Sequence, residues 1–316
     1  MSGRFAKEIF SSDPYLLPKI GMSPYCHTSL VENQKIFSST KGDELNLAEY
    51  LGEGQYLYAL NGRDAIEMSL RHLNLSTEDE IQILTTSGNS YISGCVTSSI
   101  EKFCRWSRTR STQTKALFLI HEFGFPLEAD QIQSDELPVI EDCAYAMGCR
   151  FQNGQNVGTI GDYVIYSLSK SFPIGFGGLL KLRSLHSSVA PSERLSELGG
   201  VYLKSMVSHY LPQLSASLQT RLDLFEVYQS LFQKKDLSSL FVPQRGSVPH
   251  SFVVNFSDES LLKRLKPMIN GLGVESSVYY NSGGYFLPLH QNMAEVSVEY
   301  VVHQFLNSLD QINMES

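Results

Sequence analysis

Between residues 55 and 182, short apolar segments alternate with segments of helical periodicity. The apolar segments predict six strands, which are QYLYAL (55–60), IQILTTS (81–87), KALFLI (115–120), LPVIED (137–142), YVIYSL (163–168) and GLLKL (178–182). Helical spacing predicts helices at NGRDAIEMSLRHL (61–73), with Asn61 as its cap, and at SYISGCVTSSIEKF (90–103). Continuous apolar strands joined by helices are typical of a mainly parallel sheet with helices on both faces. This pattern therefore predicts an α/β domain.

After Pro191 the pattern becomes almost continuously helical up to about residue 235. Beyond it, the strands HSFVVNF (250–256) and VESSVYY (274–280) alternate with the helices ESLLKRLKPMINGLG (259–273) and MAEVSVEYVVHQFLNSL (293–309). This order predicts a small α+β domain behind a helical connector. We therefore predict a large domain with an N-terminal arm over residues 1–190, and the connector and small domain over residues 191–316.

The charge balance excludes some classes of partner. The chain of 316 residues can bury a sizeable core and carries a formal net charge of −8, which argues against a nucleic-acid surface. The polar run at 105–114 contains three arginines but is predicted to be a solvated loop or helix end. No apolar run approaches the ~20 residues of a membrane span. We therefore expect neither a nucleic-acid nor a membrane partner.

The cysteines and histidines add two further expectations. The five cysteines are scattered without C-x-x-C spacing, and the N-terminus lacks a signal-peptide pattern, so we expect reduced cysteines and a cytoplasmic protein. The eight histidines show no H-E-x-x-H motif, so no metal site is predicted. His121 and His290 are expected to be structural.

Three features carry the candidate chemistry: the turn Gly62-Arg63-Asp64, the strand end at Asp142, and Ser167-x-x-Lys170. The carboxyl ends of parallel strands face one crevice, so these groups can meet there. A helix N-terminus binds phosphate, a carboxylate can hold a ring nitrogen protonated, and a lysine among apolar neighbours can form an imine. These are together the requirements of pyridoxal 5′-phosphate, PLP.

Each of these residues also has a simpler interpretation. Lys170 could be an ordinary turn lysine, and Asp142 could cap a loop. Arg63 could be solvated, and Tyr91 and Tyr145 could be plain core or rim aromatics. An S-x-x-K motif also occurs in serine β-lactamases, but no K-T-G follows here, which disfavours that interpretation.

Five segments resemble the DegT/DnrJ/EryC1/StrS sugar aminotransferases, a family of fold-type I PLP enzymes. They are NGRDAIEMSL (61–70), HEFGFPLEADQI (121–132), VIEDCAYAMG (139–148), NVGTIGDYVIYSLSK (156–170) and YFLPLHQNM (285–293). The resemblance covers most of residues 45–182 and, more weakly, the C-terminal part. It implies a fold-type I PLP-transferase large domain and a homodimer.

The resemblance also implies a role for each matching residue. Lys170 would form the internal aldimine and shuttle protons, while Asp142 would pair with the pyridinium nitrogen. Ser167 and the turn of Gly62, Arg63 and Asp64 would hold the phosphate. Tyr91 falls near the position at which the family stacks an aromatic ring on the cofactor.

The sequence departs from the family pattern at four points. Tyr145 replaces the Gln or His that contacts the cofactor's phenolic oxygen, and Arg63 replaces a small hydroxyl residue. The spacing from Ser167 to Lys170 is shorter than the family's usual five residues. Residues 183–215 lack the G-x-N-x-R-M loop that reaches the partner subunit, so the chain resembles a shortened member.

Two functional hypotheses follow. The first is a PLP-dependent aminotransferase that acts on a keto-sugar nucleotide in polysaccharide or natural-product biosynthesis, with a glutamate-type amino donor. The alternative is a degenerate homologue that acts as a binding or partner protein, or a PLP enzyme of another reaction type. Lys170, Asp142 and Ser167 favour the first hypothesis, whereas the missing loop favours the alternative.

Overall fold

The computed structural model describes residues 19–40, 42, 44–184, 188–256 and 258–315. None of the helices in these ranges is both long and apolar enough to span a membrane. The chain forms a larger unit, from residue 23 to 219 with 243–249, and a smaller unit of residues 220–242 and 250–315 with a short segment at 19–22. The predicted boundary near residue 190 differs from this grouping and stays a prediction. Residues 1–18 of the predicted N-terminal arm lie outside the described residues.

The elements of the larger unit follow the predicted alternation. Its helices are α1 (His27–Thr40), α2 (Ala48–Leu51), α3 (Gly62–Leu73), α4 (Gly94–Ile100), α5 (Leu168–Ser171), α6 (Glu197–Tyr210) and the start of α7 (Leu214–Gln233). Its strands are β1 (Gln55–Ala59), β2 (Glu80–Thr85), β3 (Arg105–Ser107), β4 (Thr114–Ile120), β5 (Val139–Asp142), β6 (Tyr163–Ser167) and β7 (Gly178–Leu182). The six predicted strands are confirmed.

The strands form one seven-stranded sheet in the order β1-β7-β6-β5-β4-β2-β3. The neighbours from β6 to β3 pair in parallel, whereas β7 runs antiparallel to both β6 and β1. In this register Ile120, Asp142 and Ile165 lie side by side at the carboxyl edge. Because β7 runs in the opposite direction, its first residue, Gly178, pairs with Ser167 at the same edge. The mainly parallel α/β prediction is confirmed.

The central strands are apolar because helices and loops cover both faces of the sheet. All residues of β5, β6 and β7 are buried. On one face, Ile66 and Leu70 of α3 pack in a cluster with strand residues such as Ile140. On the other face, Leu117 and Leu119 pack with Leu127 and Val139. Each such buried aliphatic side chain contributes about 1.5–3 kcal/mol.

Two local predictions need correction. The helix predicted over residues 90–103 is limited to α4, where the Ser93 hydroxyl accepts a hydrogen bond from Cys95 N–H. Part of the run predicted as a loop or helix end forms β3, which pairs in parallel with β2. An edge strand of three partly exposed residues does not require the apolar pattern by which strands were found.

The smaller unit is α+β, as predicted. Strands β8 (Ser251–Asn255), β9 (Ser277–Tyr279) and β10 (Gly284–Pro288) form an antiparallel sheet with β10 in the middle. Helices α8 (Glu259–Gly271), α9 (Glu295–Glu315) and the end of α7 complete the unit. Their core is rich in stacked and tilted aromatic rings, including those of Tyr228, Phe232, Phe252, Tyr285 and Phe305.

Candidate active site

The carboxyl edge of the sheet brings together the chain segments that carry the candidate residues. Strand β6 ends at Ser167 and leads directly into α5, which contains Lys170. The turn before α3 approaches β7 so closely that a Cβ on Gly178 would overlap the Asn61 carbonyl. Backbone hydrogen bonds from Gly177 N to Leu60 O, 2.8 Å, and from Leu168 N to Gly177 O, 3.0 Å, connect the three segments.

The N-terminus of α3 lies beside Ser167. A Cβ on Gly62 would be 3.4 Å from Ser167 Cβ and 3.7 Å from its hydroxyl oxygen. Asn61 caps the helix, as predicted, because its side-chain oxygen accepts a hydrogen bond of 3.0 Å from Asp64 N–H. Arg63 is exposed in the first turn. A helix N-terminus, a hydroxyl and a guanidinium at one turn form a suitable environment for an anion.

Asp64 has a different environment from the rest of this turn. Its buried carboxylate accepts hydrogen bonds from Leu60 N–H, 2.9 Å, and from the Ser192 hydroxyl. The other carboxylate oxygen has no hydrogen-bond partner among the described residues. A buried carboxyl group held in this way supports the turn from behind, so a direct contact between Asp64 and a phosphate stays a prediction that this geometry does not favour.

Asp142 lies at the end of β5, and its carboxylate is buried. Its Oδ1 accepts a hydrogen bond of 2.9 Å from Ala144 N–H. Burial raises the pKa of Asp142, while the positive charge of Lys170 and the Ala144 hydrogen bond oppose that shift. The structure therefore brings Asp142 and Lys170 within electrostatic reach of each other.

Lys170 lies over an aromatic ring. Its Nζ is 3.5 Å from the centroid of the Tyr145 ring, and that ring stacks on Phe123 at 6.2 Å between centroids. An ammonium over a ring face gains about 0.5–2 kcal/mol, depending on its exposure. Tyr145 thus contacts Lys170 through its ring face, and the predicted contact of its hydroxyl with a cofactor stays a prediction.

Tyr91 lies in the loop between β2 and α4. It is partly buried, and its backbone N–H donates to Asn89 Oδ1 at 3.4 Å. Strand β2 ends at the same edge as β5 but is separated from it by β4. The stacking role of Tyr91 stays a prediction.

Glu141, the neighbour of Asp142, is held by a set of donors that the sequence did not reveal. Its carboxylate accepts hydrogen bonds from His121 Nε2, 3.0 Å, and from the backbone N–H groups of Gly158, 2.7 Å, Ile160, 3.0 Å, and Gly161, 2.7 Å. Burial works to raise the pKa of Glu141, but these hydrogen bonds outweigh it and hold the pKa below its ordinary value.

His121 is fixed in one tautomer by its two partners. Its Nδ1 accepts a hydrogen bond of 2.9 Å from Leu127 N–H, so the proton is on Nε2, which donates to Glu141. The expected structural role of His121 agrees with this geometry. His290, in the smaller unit, is also buried, and burial beside the Arg221 guanidinium lowers its pKa to about 4.

Three buried side chains lie close enough to suggest a metal site. The ligand atoms of His121, Glu141 and Cys143 lie within 4.8 Å of one another. However, both ring nitrogens of His121 and both oxygens of Glu141 already take part in hydrogen bonds within the protein. We therefore assign this cluster to hydrogen bonding.

Comparisons with known proteins show what this chain is similar to. The model of the DegT/DnrJ/EryC1/StrS aminotransferase family matches residues 108–185, which include β4, β5, β6 and Lys170. UDP-N-acetyl-3-dehydro-alpha-D-glucosamine 3-aminotransferase of Acidithiobacillus ferrooxidans is 25% identical over 301 residues, which covers 82% of this chain and 79% of that protein. The chain is related to the DegT/DnrJ/EryC1/StrS aminotransferase family. Both matches are to aminotransferases.

One further sequence relative and two solved structures are also similar to this chain. GDP-perosamine synthase of Escherichia coli O157:H7 is 30% identical over 139 residues, 38% of each chain. The aminotransferase TlmJ from Streptoalloteichus hindustanus superposes with a TM-score of 0.73 at 19% identity, covering 94% of this chain and 98% of its own. The sugar aminotransferase Spr1654 from Streptococcus pneumoniae, in its PMP form, gives a TM-score of 0.72 at 15% identity, covering 94% and 99%. The fold-type I prediction is confirmed by these structures.

Part of the segment without the family loop folds against α3 of its own chain. The Ser192 hydroxyl donates to Asp64, and Arg194 Nη2 donates to Glu67 of α3 at 2.6 Å. Glu67 also accepts a hydrogen bond of 2.6 Å from Lys102. These contacts secure the helix whose N-terminus lies beside Ser167.

A short segment before α1 adds residues near Lys170 that the sequence did not predict. The Ser23 hydroxyl donates to Ser169 O at 2.7 Å. A Cβ on Gly175 would be 3.6 Å from the Tyr25 ring. These contacts join positions about 150 residues apart, and no local pattern announces them.

Proposed function

We propose that this chain is a PLP-dependent aminotransferase that acts on a keto-sugar nucleotide and takes its amino group from a glutamate-type donor. The observation that carries this proposal is the proximity of Lys170 to the buried carboxylate of Asp142, beside a helix N-terminus that lies against Ser167. The named activities of the curated relatives support the sugar substrate.

The residues of this edge fit the cofactor's chemistry. A buried carboxylate at a strand end suits a protonated ring nitrogen, and the α3 turn with Ser167 and Arg63 suits a phosphate. The amine of Lys170 is near enough to Asp142 for the two charges to interact. When bound, PLP supplies an electron sink for the bonds at the amino-bearing carbon.

Each residue then has a distinct task. Lys170 would hold the cofactor and, as a general acid–base group, would move a proton at its amine. Asp142 would keep the ring nitrogen protonated, and Ser167 with Gly62 and Arg63 would hold the phosphate. Tyr145 orients the Lys170 amine. Homodimerisation and a cytoplasmic location are further parts of this proposal.

The test is the visible absorbance of the full-length protein with added PLP. We expect a band for wild type that is lost in Lys170→Ala, and that is kept in Lys263→Ala, which removes an exposed lysine of α8. Borohydride should fix the cofactor to the wild-type protein, and mass spectrometry should locate it on Lys170. In a separate sample without borohydride, L-glutamate should bleach the band.

A band that survives Lys170→Ala would contradict the assignment of the lysine. If wild type gives no band at saturating PLP, the chain has lost the cofactor chemistry and the partner-protein hypothesis replaces the enzyme. A band that L-glutamate leaves unchanged would instead indicate another amino donor or another PLP reaction, and a panel of amino acids would separate the two.

A further inference from the structure

Lys181 is a buried lysine with no place in the proposed catalytic machinery. It lies on β7, is 4% exposed, and donates hydrogen bonds to Leu51 O at 2.7 Å and to Gly158 O at 3.1 Å. Burial lowers the pKa of Lys181, and the negative charge of Glu141 opposes that shift. Burying an ammonium is costly unless a negative charge compensates it, and Glu141 carries such a charge.

One glycine connects Lys181 to Glu141. The N–H of Gly158 donates to Glu141 Oε1 at 2.7 Å, while its carbonyl accepts the hydrogen bond from Lys181 Nζ. Gly158 has φ +88°, and a Cβ there would overlap the hydroxyl of Tyr166. Only glycine therefore fits this bridge between a buried cation and a buried anion.

Glu141 has to be an anion because all of its partners donate. Three are backbone N–H groups, and the fourth is the protonated Nε2 of a His121 ring that is neutral in this tautomer. The hydrogen bonds therefore solvate Glu141 without neutralising it. Lys181 lies on β7, two strands away from β5 in the sheet, and its positive charge interacts with this carboxylate.

The negative charge of Glu141 affects the ionisation of Asp142. Asp142 follows Glu141 directly on β5, so the two buried carboxylates lie on opposite faces of one strand, and each negative charge disfavours the ionised form of the other. The positive charge of Lys170 on α5 also acts on Asp142, and the His121 ring, which directly follows β4, lies near it. The groups that act on Lys181 besides Glu141 are Cys143, Glu53 and Arg183.

We propose that Lys181, acting through Gly158, is the counter-charge of Glu141, and that it is thereby a positioning residue that leaves Asp142 free to ionise. The value of an ionised Asp142 to the cofactor ring rests on the proposed function, whereas the electrostatic coupling itself does not. Lys181 touches neither the cofactor nor a substrate and acts through Glu141.

The test is an NMR titration of the full chain without cofactor, with the aspartate carboxyl carbons labelled with ¹³C and the Asp142 signal assigned from Asp142→Asn. We expect Lys181→Met to raise the titration midpoint of Asp142 by about one pH unit, because Glu141 loses its counter-charge. Lys181→Gln, which keeps an N–H donor but not the charge, should raise it similarly. Lys102→Met, which removes a half-exposed cation beside Glu67, should not change it.

An unchanged or lowered midpoint in a folded Lys181→Met protein would overturn the proposal. So would a shift in Lys181→Met that Lys181→Gln does not reproduce, because the cause would then be the lost donor and not the charge. If neither variant folds, ¹⁵N spectra of the lysine amines in wild type decide between two outcomes. A solvent-shielded neutral amine at pH 7 would overturn the proposal, whereas an ammonium signal for every lysine would support it.

The cofactor experiment fails independently of this one. A wild-type protein without a PLP band contradicts the proposed function and leaves the Asp142 midpoint measurable. If PLP binds, the acid limb of its binding curve should move upward by the same amount in Lys181→Met, whereas a merely structural loss would weaken binding equally at every pH.

Discussion

Glu141 and Asp142 are neighbours on one strand, yet their surroundings differ in kind. Glu141 accepts four hydrogen bonds, and these hold its pKa down against burial. Asp142, among the described residues, accepts one from Ala144 N–H, and burial raises its pKa. Donors of the protein itself occupy the Glu141 carboxylate, whereas the Asp142 carboxylate keeps acceptor capacity toward the edge of the sheet. Satisfied acceptors stabilise a fold, and unsatisfied ones are available to a ligand.

The largest expected effect comes from removing the charge of Glu141. In Glu141→Gln the side-chain amide would face an N–H donor wherever it points, because all four partners donate. We expect a loss of about 3–5 kcal/mol of unfolding free energy, measured by chemical denaturation. Glu299→Gln, at an exposed position of α9, is the control and should change stability by less than about 0.5 kcal/mol. An equal effect of both substitutions would mean that the buried Glu141 carboxylate contributes no more to stability than the exposed Glu299 carboxylate.

Gly158→Ala disturbs the hydrogen bonding of Glu141 through the backbone, because Gly158 N–H is one of its donors. The new Cβ would overlap the Tyr166 hydroxyl at a left-handed φ, so we expect a loss of about 1–3 kcal/mol. Adding Tyr166→Phe removes the overlapping oxygen and should restore part of that loss. If the double variant is no more stable than Gly158→Ala, backbone strain alone carries the cost.

Asp142→Asn tests the second carboxylate, and the sign of the pH dependence of its unfolding free energy is informative. A carboxyl whose folded pKa is raised destabilises the folded state as pH rises through that pKa, because the unfolded state ionises first. Asp142→Asn removes this penalty and keeps an acceptor for Ala144 N–H. We expect its unfolding free energy to exceed that of wild type by about 1 kcal/mol at pH 7 and to match it near pH 3. Denaturation curves at the two pH values check this, and a variant less stable at pH 7 would contradict it.

The smallest effect concerns the ring under Lys170. Tyr145→Leu removes the aromatic face, and we expect a loss of about 0.5–1 kcal/mol in the stability of the cofactor-free protein. Tyr145→Phe keeps the face and should lie within about 0.3 kcal/mol of wild type, apart from any contribution of the hydroxyl. If Phe and Leu behave alike, the stacking of Lys170 on Tyr145 contributes no measurable free energy.

The sequence predicted the part of the site that depends on strand ends. Asp142, Ser167 and Lys170 could be placed at one edge because the apolar runs that precede them are buried strands, and parallel strands share a carboxyl edge. The Asn61 cap was predicted in the same way, from a cap residue before a periodic helix. Local composition carries these signals.

The supporting contacts could not be predicted, because they join distant positions through side chains or single backbone atoms. Lys181 reads as one polar residue in an apolar strand, and only the fold shows that it meets Gly158. No local sequence pattern predicts the hydrogen bond from Ser192 to Asp64 or the one from Ser23 to Ser169. For Glu141, the sequence showed the residue but not its donors.

The hydrogen bond between Ser192 and Asp64 has a consequence for how the molecule is made. The two residues are 128 positions apart, and Asp64 is fully buried when the bond is formed. During translation, α3 and the first strands leave the ribosome long before Ser192 is synthesised. Until then Asp64 is a solvated carboxylate at an open helix start. The turn before α3 would thus be completed late in biosynthesis, and a nascent chain halted before Ser192 would expose it.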